Sequence, residues 1–396
     1  MSSGFNYHQP TALRFGAGRV NEVGGEVARV GTRCLLVTAK AWPGVEPLYD
    51  RVQASIREAG VEVWHFDEVP PNPTTETIAR GAAVAKARGV DVVLALGGGS
   101  SMDSAKAIAV EATHPGGAWE YLFYKSPQPD SRTLPVVAVT TTSGTGSHVT
   151  QVAVITHPDR RDKSALYNAL LFPRAAIVDP ELMLSAPPHL TAATGFDAFT
   201  HAFESVLHCG GSAYTDLLAI EAIRLVVSNL PRAMADGQDL EARTAMAWAD
   251  TLAGFSIANA GVSLPHGIGM AIGGMFPHVM HGEALAVVYP AVMRRTWRAD
   301  VGRFARLARA VDPAGRSTTP EADAERCVDA IDALLDRIGM RLTLAGLRVP
   351  REELPALARQ SLVLPDYKNH PKVVDIDEVE AILAESFGGR VDQPFA

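Results

Sequence analysis

Asp197 and His201 stand four residues apart in the segment TGFDAFTH, where a helix would place them on one face. Their Cβ atoms would then lie roughly 5–6 Å apart, which suits two ligands of one metal ion. Such a pair more often forms a surface hydrogen bond. Two more histidines, His266 and His281, lie in strongly apolar segments, where polar groups need partners. One carboxylate and three imidazoles are typical of an Fe²⁺ or Zn²⁺ site, whereas Mg²⁺ and Ca²⁺ prefer oxygen ligands.

Two other histidines make the choice of ligands ambiguous on spacing alone. His208 extends the helical face of Asp197 and His201, and His278 precedes His281 by three residues. The spacing therefore predicts a metal site in the second half of the chain without deciding among these imidazoles.

A second candidate site follows the apolar run VDVVLAL at 90–96, which predicts a buried strand. The next residues, GGGSSMD at 97–103, lead into a helical pattern, so a pyrophosphate could approach the backbone at the positive end of a helix dipole. A tight turn also needs glycine without any ligand. Another strand ends in TTTSGTGS at 140–147, at the sheet edge where ligands bind. The residues of the two loops expected to contact a dinucleotide are Gly98, Gly99, Ser100, Ser101, Asp103 and Thr145.

The elements that must position these residues are of two kinds. From residue 12 to about 180, short apolar runs alternate with amphipathic helical patterns, which predicts a largely parallel sheet covered on both faces. After Pro187 and Pro188 the periodic segments are helical, so we expect an α/β domain at 1–186 and an all-helical domain at 187–396. The strands of the first domain are expected at 32–38, 61–66, 90–96, 134–139 and 175–178, and its helices at 47–59, 74–88 and 102–112.

The composition excludes several classes of protein. Among 396 residues, 47% are hydrophobic and the net charge is −8 without a dense Lys/Arg run, so nucleic acids and anionic membranes are not expected partners. The chain has no stretch of roughly 18 uninterrupted apolar residues and no signal-peptide pattern at its start. Its three cysteines are widely separated, which suits a reducing compartment. We expect a cytoplasmic globular protein.

Several motifs occur in one order along nearly the whole chain: FGAG at 15–18, PNPT at 71–74, GGGSSMD, TTSGTGS, VDPEL at 178–182, TGFDAFTHAFE and a PH…HG pair. Together they resemble the iron-containing, group III metal-dependent alcohol dehydrogenases. The resemblance implies a dehydroquinate synthase-like architecture, with an α/β dinucleotide-binding domain, an all-α metal-binding domain and an active site between them. It also implies transfer of hydride between NAD(H) or NADP(H) and a small alcohol or aldehyde, by a homodimer or higher homo-oligomer.

The resemblance also assigns roles to individual residues, with Fe²⁺ favoured over Zn²⁺ as the ion. The implied metal ligands, which are also the implied catalytic residues, are Asp197, His201, His266 and His281. The implied cofactor contacts are the pyrophosphate loop Gly98 to Ser101, Thr141 and Thr142 beside the nicotinamide, and Asn72, Lys163 and Leu182.

Three departures from the family pattern bear on the site. The last two histidine ligands are usually one residue closer than His266 and His281; alignment through HGEALAVVYP keeps His281, and otherwise His278 is the fourth ligand. Met270 replaces a histidine of many members, so a proton relay through that position is not expected. His148 replaces a glutamate and is either a substrate contact or a polar residue facing solvent.

The strand TRCLLVT leads to Ala39, where many NAD-specific relatives have an aspartate that hydrogen-bonds the ribose 2′-hydroxyl and repels a 2′-phosphate. Alanine does neither, and Lys40 or Arg33 could offer a charged contact to that phosphate. We therefore expect NADP(H) to be accepted and NAD(H) to remain usable.

Two functions of other classes remain as alternatives. A metal- and NAD-dependent lyase or cyclase of the dehydroquinate synthase type would need many Lys/Arg groups for a phosphorylated, carboxylated substrate, and this sequence offers few. A non-catalytic protein that has kept the fold would have no physical need for buried, unpaired imidazoles.

Overall fold

A computed structural model describes residues 4–42, 44–315 and 317–388 of the chain. These residues form alternating strands and helices up to about residue 186 and almost entirely helices beyond it. Within the described ranges, no helix combines the length and the apolar character needed to span a membrane.

The described residues divide into two compact units. The first, which we call the α/β unit, consists of Tyr7–Ala186 and Gly237–Ala247. The second, which we call the helical unit, consists of Pro187–Asp236 and the described residues from Trp248 onward, together with residues 4–6.

A parallel sheet forms the centre of the α/β unit. The described strands of this unit are β1 Ala12–Phe15, β2 Arg33–Ala39, β3 Glu62–Val69, β4 Val92–Gly97, β5 Val136–Thr140, β6 Val152–His157, β7 Asp162–Tyr167 and β8 Ala175–Val178. Six of them form the sheet in the order β1-β8-β5-β4-β2-β3, and each neighbouring pair is parallel. The remaining two, β6 and β7, form an antiparallel hairpin. The parallel sheet predicted from the alternation of apolar runs and helical patterns is confirmed.

The central strand β4 shows why the sheet needs helices on both faces. Val93 and Ala95 belong to one buried cluster and Leu94 and Leu96 to another, because successive side chains of a strand point to opposite faces. Each fully buried leucine or valine contributes about 1.5–3 kcal/mol through removal of apolar surface from water. The helices of this region are α1 Val23–Ala28, α2 Glu46–Glu58, α3 Thr75–Arg88 and α4 Gly99–Glu111.

Aromatic side chains of two helices pack together inside the helical unit. The helices from residue 188 onward are α5 Pro188–Leu207, α6 Ala213–Ala235, α7 Leu240–Ile257, α8 Leu264–Met275, α9 His281–Thr296, α10 Val301–Val311, α11 Pro320–Arg337, α12 Leu354–Ser361 and α13 Ile376–Gly388. Three rings of α5, at Phe196, Phe199 and Phe203, lie with their centroids 5.5, 6.3 and 5.8 Å from that of Tyr289 on α9. The predicted helical character of this part of the chain is confirmed.

Helices α5 and α9 approach each other unusually closely at Gly282. A Cβ atom added to this glycine would stand 2.0 Å from the carbonyl oxygen of Ala193 on α5. Only a residue without a side chain allows this contact, and the contact fixes the position of the first turn of α9 against α5.

Candidate functional site

Three helices of the helical unit carry the predicted metal ligands. Asp197 and His201 occupy successive turns of α5, where their four-residue separation places them on one face. His266 lies in the first turn of α8, and His281 is the first residue of α9. The position of the His281 side chain therefore depends on the close approach of α9 to α5.

The four side chains converge on one oxygen atom. The Nε2 atoms of His201, His266 and His281 lie 3.7, 3.7 and 3.8 Å from Oδ1 of Asp197. The ring centroids of His201 and His266 are 4.6 Å apart, and those of His266 and His281 are 5.3 Å apart. Ligand atoms about 2.1 Å from a tetrahedral metal ion lie about 3.4 Å from one another, so the three distances to Oδ1 are close to those of one coordination shell. Ligand atoms of Asp197, His201 and His266 all lie within 4.8 Å of one another, whereas His281 falls outside this closer group.

Two of these atoms lack a hydrogen-bond partner. Within the described part of the chain, Oδ1 of Asp197 and Nε2 of His266 are buried and accept or donate no hydrogen bond. Leaving a buried polar atom unpaired costs about 1–3 kcal/mol, so native proteins rarely do so without a ligand. A divalent ion of the Fe²⁺ or Zn²⁺ class fits this donor set of one carboxylate and three imidazoles.

The charges at the site favour binding of a cation. Burial raises the pKa of Asp197, but His201 and His266 beside it lower that pKa to about 2, so the carboxylate is ionised. Burial lowers the pKa of His266, but the carboxylates of Glu204 and Asp197 on its two sides raise it to about 10. Because a ligating imidazole must be neutral, an ion and a proton compete for Nε2 of His266.

Glu204 supports the site and was not identified from the sequence. Its Oε1 lies 2.7 Å from Nδ1 of His266, while its Oε2 accepts bonds from the backbone nitrogen of Ser263 at 2.8 Å and from Oγ of Ser263 at 3.0 Å. A carboxylate on one imidazole nitrogen fixes the tautomer and the orientation of the ring, leaving the other nitrogen for a metal. The available signal was spacing, since Glu204 follows Asp197 by seven residues and His201 by three on the same helical face.

The hydrogen-bonded chain continues away from Glu204 to the far end of α9. Oγ of Ser263 lies 3.1 Å from Nδ1 of His370, whose Nε2 lies 3.0 Å from Oγ1 of Thr296. All of these side chains are buried. Burial lowers the pKa of His370 to about 4, so this ring is neutral and can accept with one nitrogen and donate with the other.

The structure keeps the two competing histidines away from the cluster. His278 is exposed, and its Nε2 lies 2.9 Å from the carbonyl oxygen of Leu347. His208 caps the end of α5, where its Nδ1 accepts a bond of 2.8 Å from the backbone nitrogen of Gly210. It is His281 that lies beside Asp197.

The two glycine-rich loops of the α/β unit lie against each other at the carboxyl ends of β4 and β5. Helix α4 begins at Gly99, three residues earlier than the pattern predicts, with Gly98 as its N-cap. A Cβ atom on Gly99 would stand 2.6 Å from Cγ2 of Thr145, and one on Gly98 would stand 3.0 Å from Oγ1 of Thr142. The backbone nitrogen of Thr141 donates to the carbonyl oxygen of Gly97 at 3.0 Å. The glycines therefore bring the hydroxyl-rich loop to the beginning of α4, where backbone N–H groups favour a phosphate.

Two charged side chains of α4, Asp103 and the buried Lys106, hold the hydroxyl-rich loop (residues 140–147) in place. Asp103 accepts bonds from Oγ of Ser147 at 2.7 Å and from the backbone nitrogen of Val154 at 3.0 Å, so both of its oxygens are bonded to the protein. Nζ of Lys106 donates to the carbonyl oxygens of Ser147, Thr150 and Val152 and to Oγ of Ser147 at 2.7–2.9 Å. Sequence reasoning missed Lys106, although a lysine inside the apolar pattern SAKAIAV indicates a buried, paired cation.

The structure also gives the surroundings of the other predicted cofactor contacts, and two of them, Asn72 and Lys163, bond to each other. Nζ of Lys163 on β7 donates to Oδ1 of Asn72 at 2.7 Å, and Asn72 adopts a left-handed backbone conformation with φ +56°. Leu182 is partly buried against the core beneath the sheet. Ser101 is buried, whereas Ser100 beside it keeps part of its surface exposed.

His148 is fully buried, so the interpretation that it faces solvent is wrong. Burial, with a contribution from the charge of Lys106, lowers its pKa to about 3, so the ring is neutral. It lies in the short turn Ser147–Val149, next to the serine that bonds Asp103 and Lys106.

The end of β2 that would approach an adenosine ribose is polar but carries no carboxylate at Ala39. The carbonyl oxygen of Ala39 accepts a bond of 3.1 Å from Oη of Tyr49, and Lys40 beside it is exposed. The suggestion that Arg33 contacts a 2′-phosphate is wrong, because Arg33 begins β2, about 20 Å from Ala39 along a strand that rises about 3.3 Å per residue. Its Nε donates instead to the carbonyl oxygen of Arg88 at 3.0 Å.

Comparison with known proteins gives consistent matches over the whole chain. A family model described as iron-containing alcohol dehydrogenase matches residues 10–180, and one described as the Fe-containing alcohol dehydrogenase family, C-terminal, matches residues 191–387. The NAD-dependent methanol dehydrogenase of Bacillus methanolicus is 35% identical over 378 residues, covering 96% of this chain and 98% of the relative. The choline dehydrogenase of Bacillus subtilis is 37% identical over 373 residues, covering 93% and 91%. The crystal structure of an archaeal alcohol dehydrogenase from a Red Sea brine pool has a TM-score of 0.94 at 35% identity, covering 98% of this chain and 100% of that one.

Proposed function

We propose a function for each part of the site from one premise: the chain belongs to the iron-containing alcohol dehydrogenase family and is a nicotinamide-dependent oxidoreductase of alcohols and aldehydes. The resemblance predicted from the order of its motifs is confirmed, and the lyase or cyclase alternative is not supported. Our proposal is that one divalent ion, Fe²⁺ in preference to Zn²⁺, is bound by Asp197, His201, His266 and His281.

The observation that carries this proposal is the convergence of three Nε2 atoms on Oδ1 of Asp197 at 3.7–3.8 Å. Such a group of buried atoms is costly unless a cation is present, because both the carboxylate and the imidazoles have lost their hydration. A surface ion pair between two of these residues would not require the third and fourth side chains.

The bound groups supply Lewis-acid polarisation of the substrate oxygen and exchange of a hydride with the nicotinamide ring. The protein's own residues orient and isolate the reactants. Glu204 forms a hydrogen bond with Nδ1 of His266, so that the lone pair of Nε2 remains available to a metal ion. The residues of α8 are all buried, which limits the access of water to this side of the ion.

For the dinucleotide, we propose that the first turn of α4 binds the pyrophosphate through backbone N–H groups and hydroxyls, while the loop after β5 contacts the nicotinamide portion. Asp103 would act through Ser147 rather than touch the cofactor, because both of its oxygens are bonded within the protein. The residues proposed to form this site are Asn72, Gly98, Gly99, Ser100, Ser101, Asp103, Thr141, Thr142, Thr145, Lys163 and Leu182.

We also propose that the enzyme accepts NADP(H) as well as NAD(H). Ala39 places no negative charge at the end of β2, and the exposed Lys40 beside it can reach a 2′-phosphate. The remaining proposals are a cytoplasmic location, a homodimer or higher homo-oligomer, and a functional division into residues 1–186 for the cofactor and 187–396 for the metal.

The test is an absorbance assay with a panel of short alcohols and aldehydes, run with both cofactors on metal-stripped protein to which Fe²⁺ or Zn²⁺ is restored. We expect turnover to depend on the added ion and to be greater with Fe²⁺. Full turnover of the metal-stripped protein would remove the proposed role of the four ligands.

A further inference from the structure

Asp366 is a carboxylate close to the candidate metal centre that the function proposed above does not use. It lies in the short helical turn Pro365–Asn369, which packs against α8 within the helical unit. Its Cβ lies 3.8 Å from the point where a Cβ on Gly267 would stand, and Gly267 directly follows His266. Its carboxylate interacts electrostatically with both His266 and Glu204.

This carboxylate has no lysine or arginine partner among the described residues, and His266 is the imidazole whose charge lowers its pKa. Its hydrogen bond within the described part of the chain comes from its own backbone N–H, and no basic side chain among those residues forms an ion pair with it. Lys368, two residues further on, lies instead over the ring of Tyr367, with Nζ 5.7 Å from the centroid. Part of the surface of Asp366 stays accessible, so a small molecule can approach it.

The charges around the site leave a negative excess. Asp197, Glu204 and Asp366 contribute three negative charges, and a divalent ion bound by neutral imidazoles contributes two positive ones. Burial raises the pKa of Asp366, His266 opposes this and Glu204 adds to it, which brings the pKa to about 6 and leaves the carboxyl group mostly ionised at neutral pH. An unpaired, half-buried anion of this kind is stabilised by a cation brought by the ligand.

We propose that Asp366 binds a cationic group of the substrate, so that the preferred substrates are small alcohols bearing an ammonium group and the corresponding aldehydes. This inference rests on the proposed function, since it places the reacting hydroxyl at the metal centre. The same negative charge excludes alcohols that carry a carboxylate, sulfonate or phosphate group.

The experiment compares two alcohols of the same shape that differ in charge: choline, with a quaternary ammonium group, and 3,3-dimethylbutan-1-ol, with a neutral quaternary carbon. In the unmodified enzyme we expect kcat/KM for choline to exceed that for the neutral alcohol at least tenfold. Asp366→Asn should reduce this ratio to near one, and Asp366→Glu should retain most of it. Asp377→Asn, which changes an exposed carboxylate on α13, is the matched control and should leave the ratio unchanged.

Binding without turnover gives a second measurement. Choline is titrated by calorimetry into the iron-loaded enzyme with NADH, where no oxidation can occur, and we expect at least tenfold weaker binding by Asp366→Asn. The iron content of each variant is measured alongside, so that loss of metal is not taken for loss of the cation site.

Failure of this inference is distinguishable from failure of the proposed function. Oxidation of neutral alcohols with no preference for choline, or a choline preference that persists in iron-loaded Asp366→Asn, overturns the role of Asp366 alone. Absence of turnover with every alcohol in the panel, under iron and both cofactors, overturns the proposed function and this inference with it.

Discussion

The candidate metal centre of the helical unit and the candidate cofactor loops of the α/β unit are built in opposite ways. The metal centre consists of side chains, and two of its atoms, Oδ1 of Asp197 and Nε2 of His266, have no hydrogen-bond partner among the described residues. The cofactor loops are shaped mainly by glycines and backbone groups, and their charged residues, Asp103 and Lys106, both form hydrogen bonds with Ser147. The first region leaves two potential ligand atoms unpaired, whereas the charged groups of the second are bonded within the protein.

This difference determines how each region should respond to change. Substitution of side chains proposed to bind the ion is expected to lower metal content and activity, with smaller effects on folding. Groups that already satisfy one another are expected to matter first for the stability of the fold. The predictions below test this distinction in order of decreasing effect.

The strongest test concerns the ligands of the metal centre. His201→Ala or His266→Ala should abolish measurable turnover and lower the metal content of the purified protein, because each removes one of four converging donors. Metal analysis and steady-state assays on the same samples provide the measurement. The control is His278→Ala, an exposed residue bonded to a carbonyl oxygen. If His278→Ala loses the metal while His281→Ala keeps it, the proposed ligand set is wrong.

The second test concerns Lys106, the buried lysine that bonds to carbonyl oxygens of residues 147–152. Lys106→Met should lower the free energy of unfolding by about 3–5 kcal/mol, because it removes a buried cation near Asp103 and the donor for three buried carbonyl oxygens. Urea denaturation of the protein provides the measurement, and Lys86→Met, which changes an exposed lysine of α3, is the control. A loss below about 1 kcal/mol would show that this region does not depend on its internal pairing.

The third test separates metal binding from folding within the helical unit. Glu204→Gln keeps the size of the side chain but weakens its bond to Nδ1 of His266, and the change should lower metal affinity about 10–100-fold. Competition with a chelator measures the affinity. Ser205→Ala, which alters a buried neighbour on the same helix, is the comparison, and equal loss of metal in both variants would contradict a specific role for Glu204.

The smallest expected effect lies at the adenosine end of the cofactor site. Ala39→Asp should shift the preference from NADP(H) toward NAD(H) by roughly 1–3 kcal/mol, through a gained hydrogen bond to the ribose and repulsion of a 2′-phosphate. The ratio of kcat/KM for the two cofactors measures the shift. Lys40→Ala should reduce use of NADP(H) alone. Strict dependence of the unmodified enzyme on NAD(H) would contradict the premise.

Much of the fold follows from the sequence because the sheet is buried on both faces. The five strands predicted from apolar runs, such as Val92–Gly97, all belong to the sheet. The short edge strand Ala12–Phe15 and the hairpin Val152–Tyr167 were not predicted. Edge strands and hairpins are half exposed, so their apolar signal is weak, although the turn segment HPDRRD marks the hairpin in hindsight.

The site divides in the same way. Asp197 and His201 could be proposed from the sequence, because a carboxylate and an imidazole four residues apart on a helix can bind one metal ion. Glu204 and Lys106 were missed despite their spacing and apolar context, because a carboxylate or a lysine on a helix has no assigned role until its neighbours are known. The choice of His281 over His278 came from alignment through HGEALAVVYP, because the spacing of the histidines alone does not reveal that a helix begins at residue 281.

The contact between Gly282 and the carbonyl oxygen of Ala193 has a consequence for how such a site can evolve. Because the limit lies in the backbone, the chemical identity of the residue at position 281 can change while the path of α9 stays the same. Position 282 has no such freedom, since even one methyl group would stand 2.0 Å from an oxygen atom. In a library randomised at both positions and selected for bound metal, only residue types that can ligate an ion are expected at 281, and glycine alone at 282.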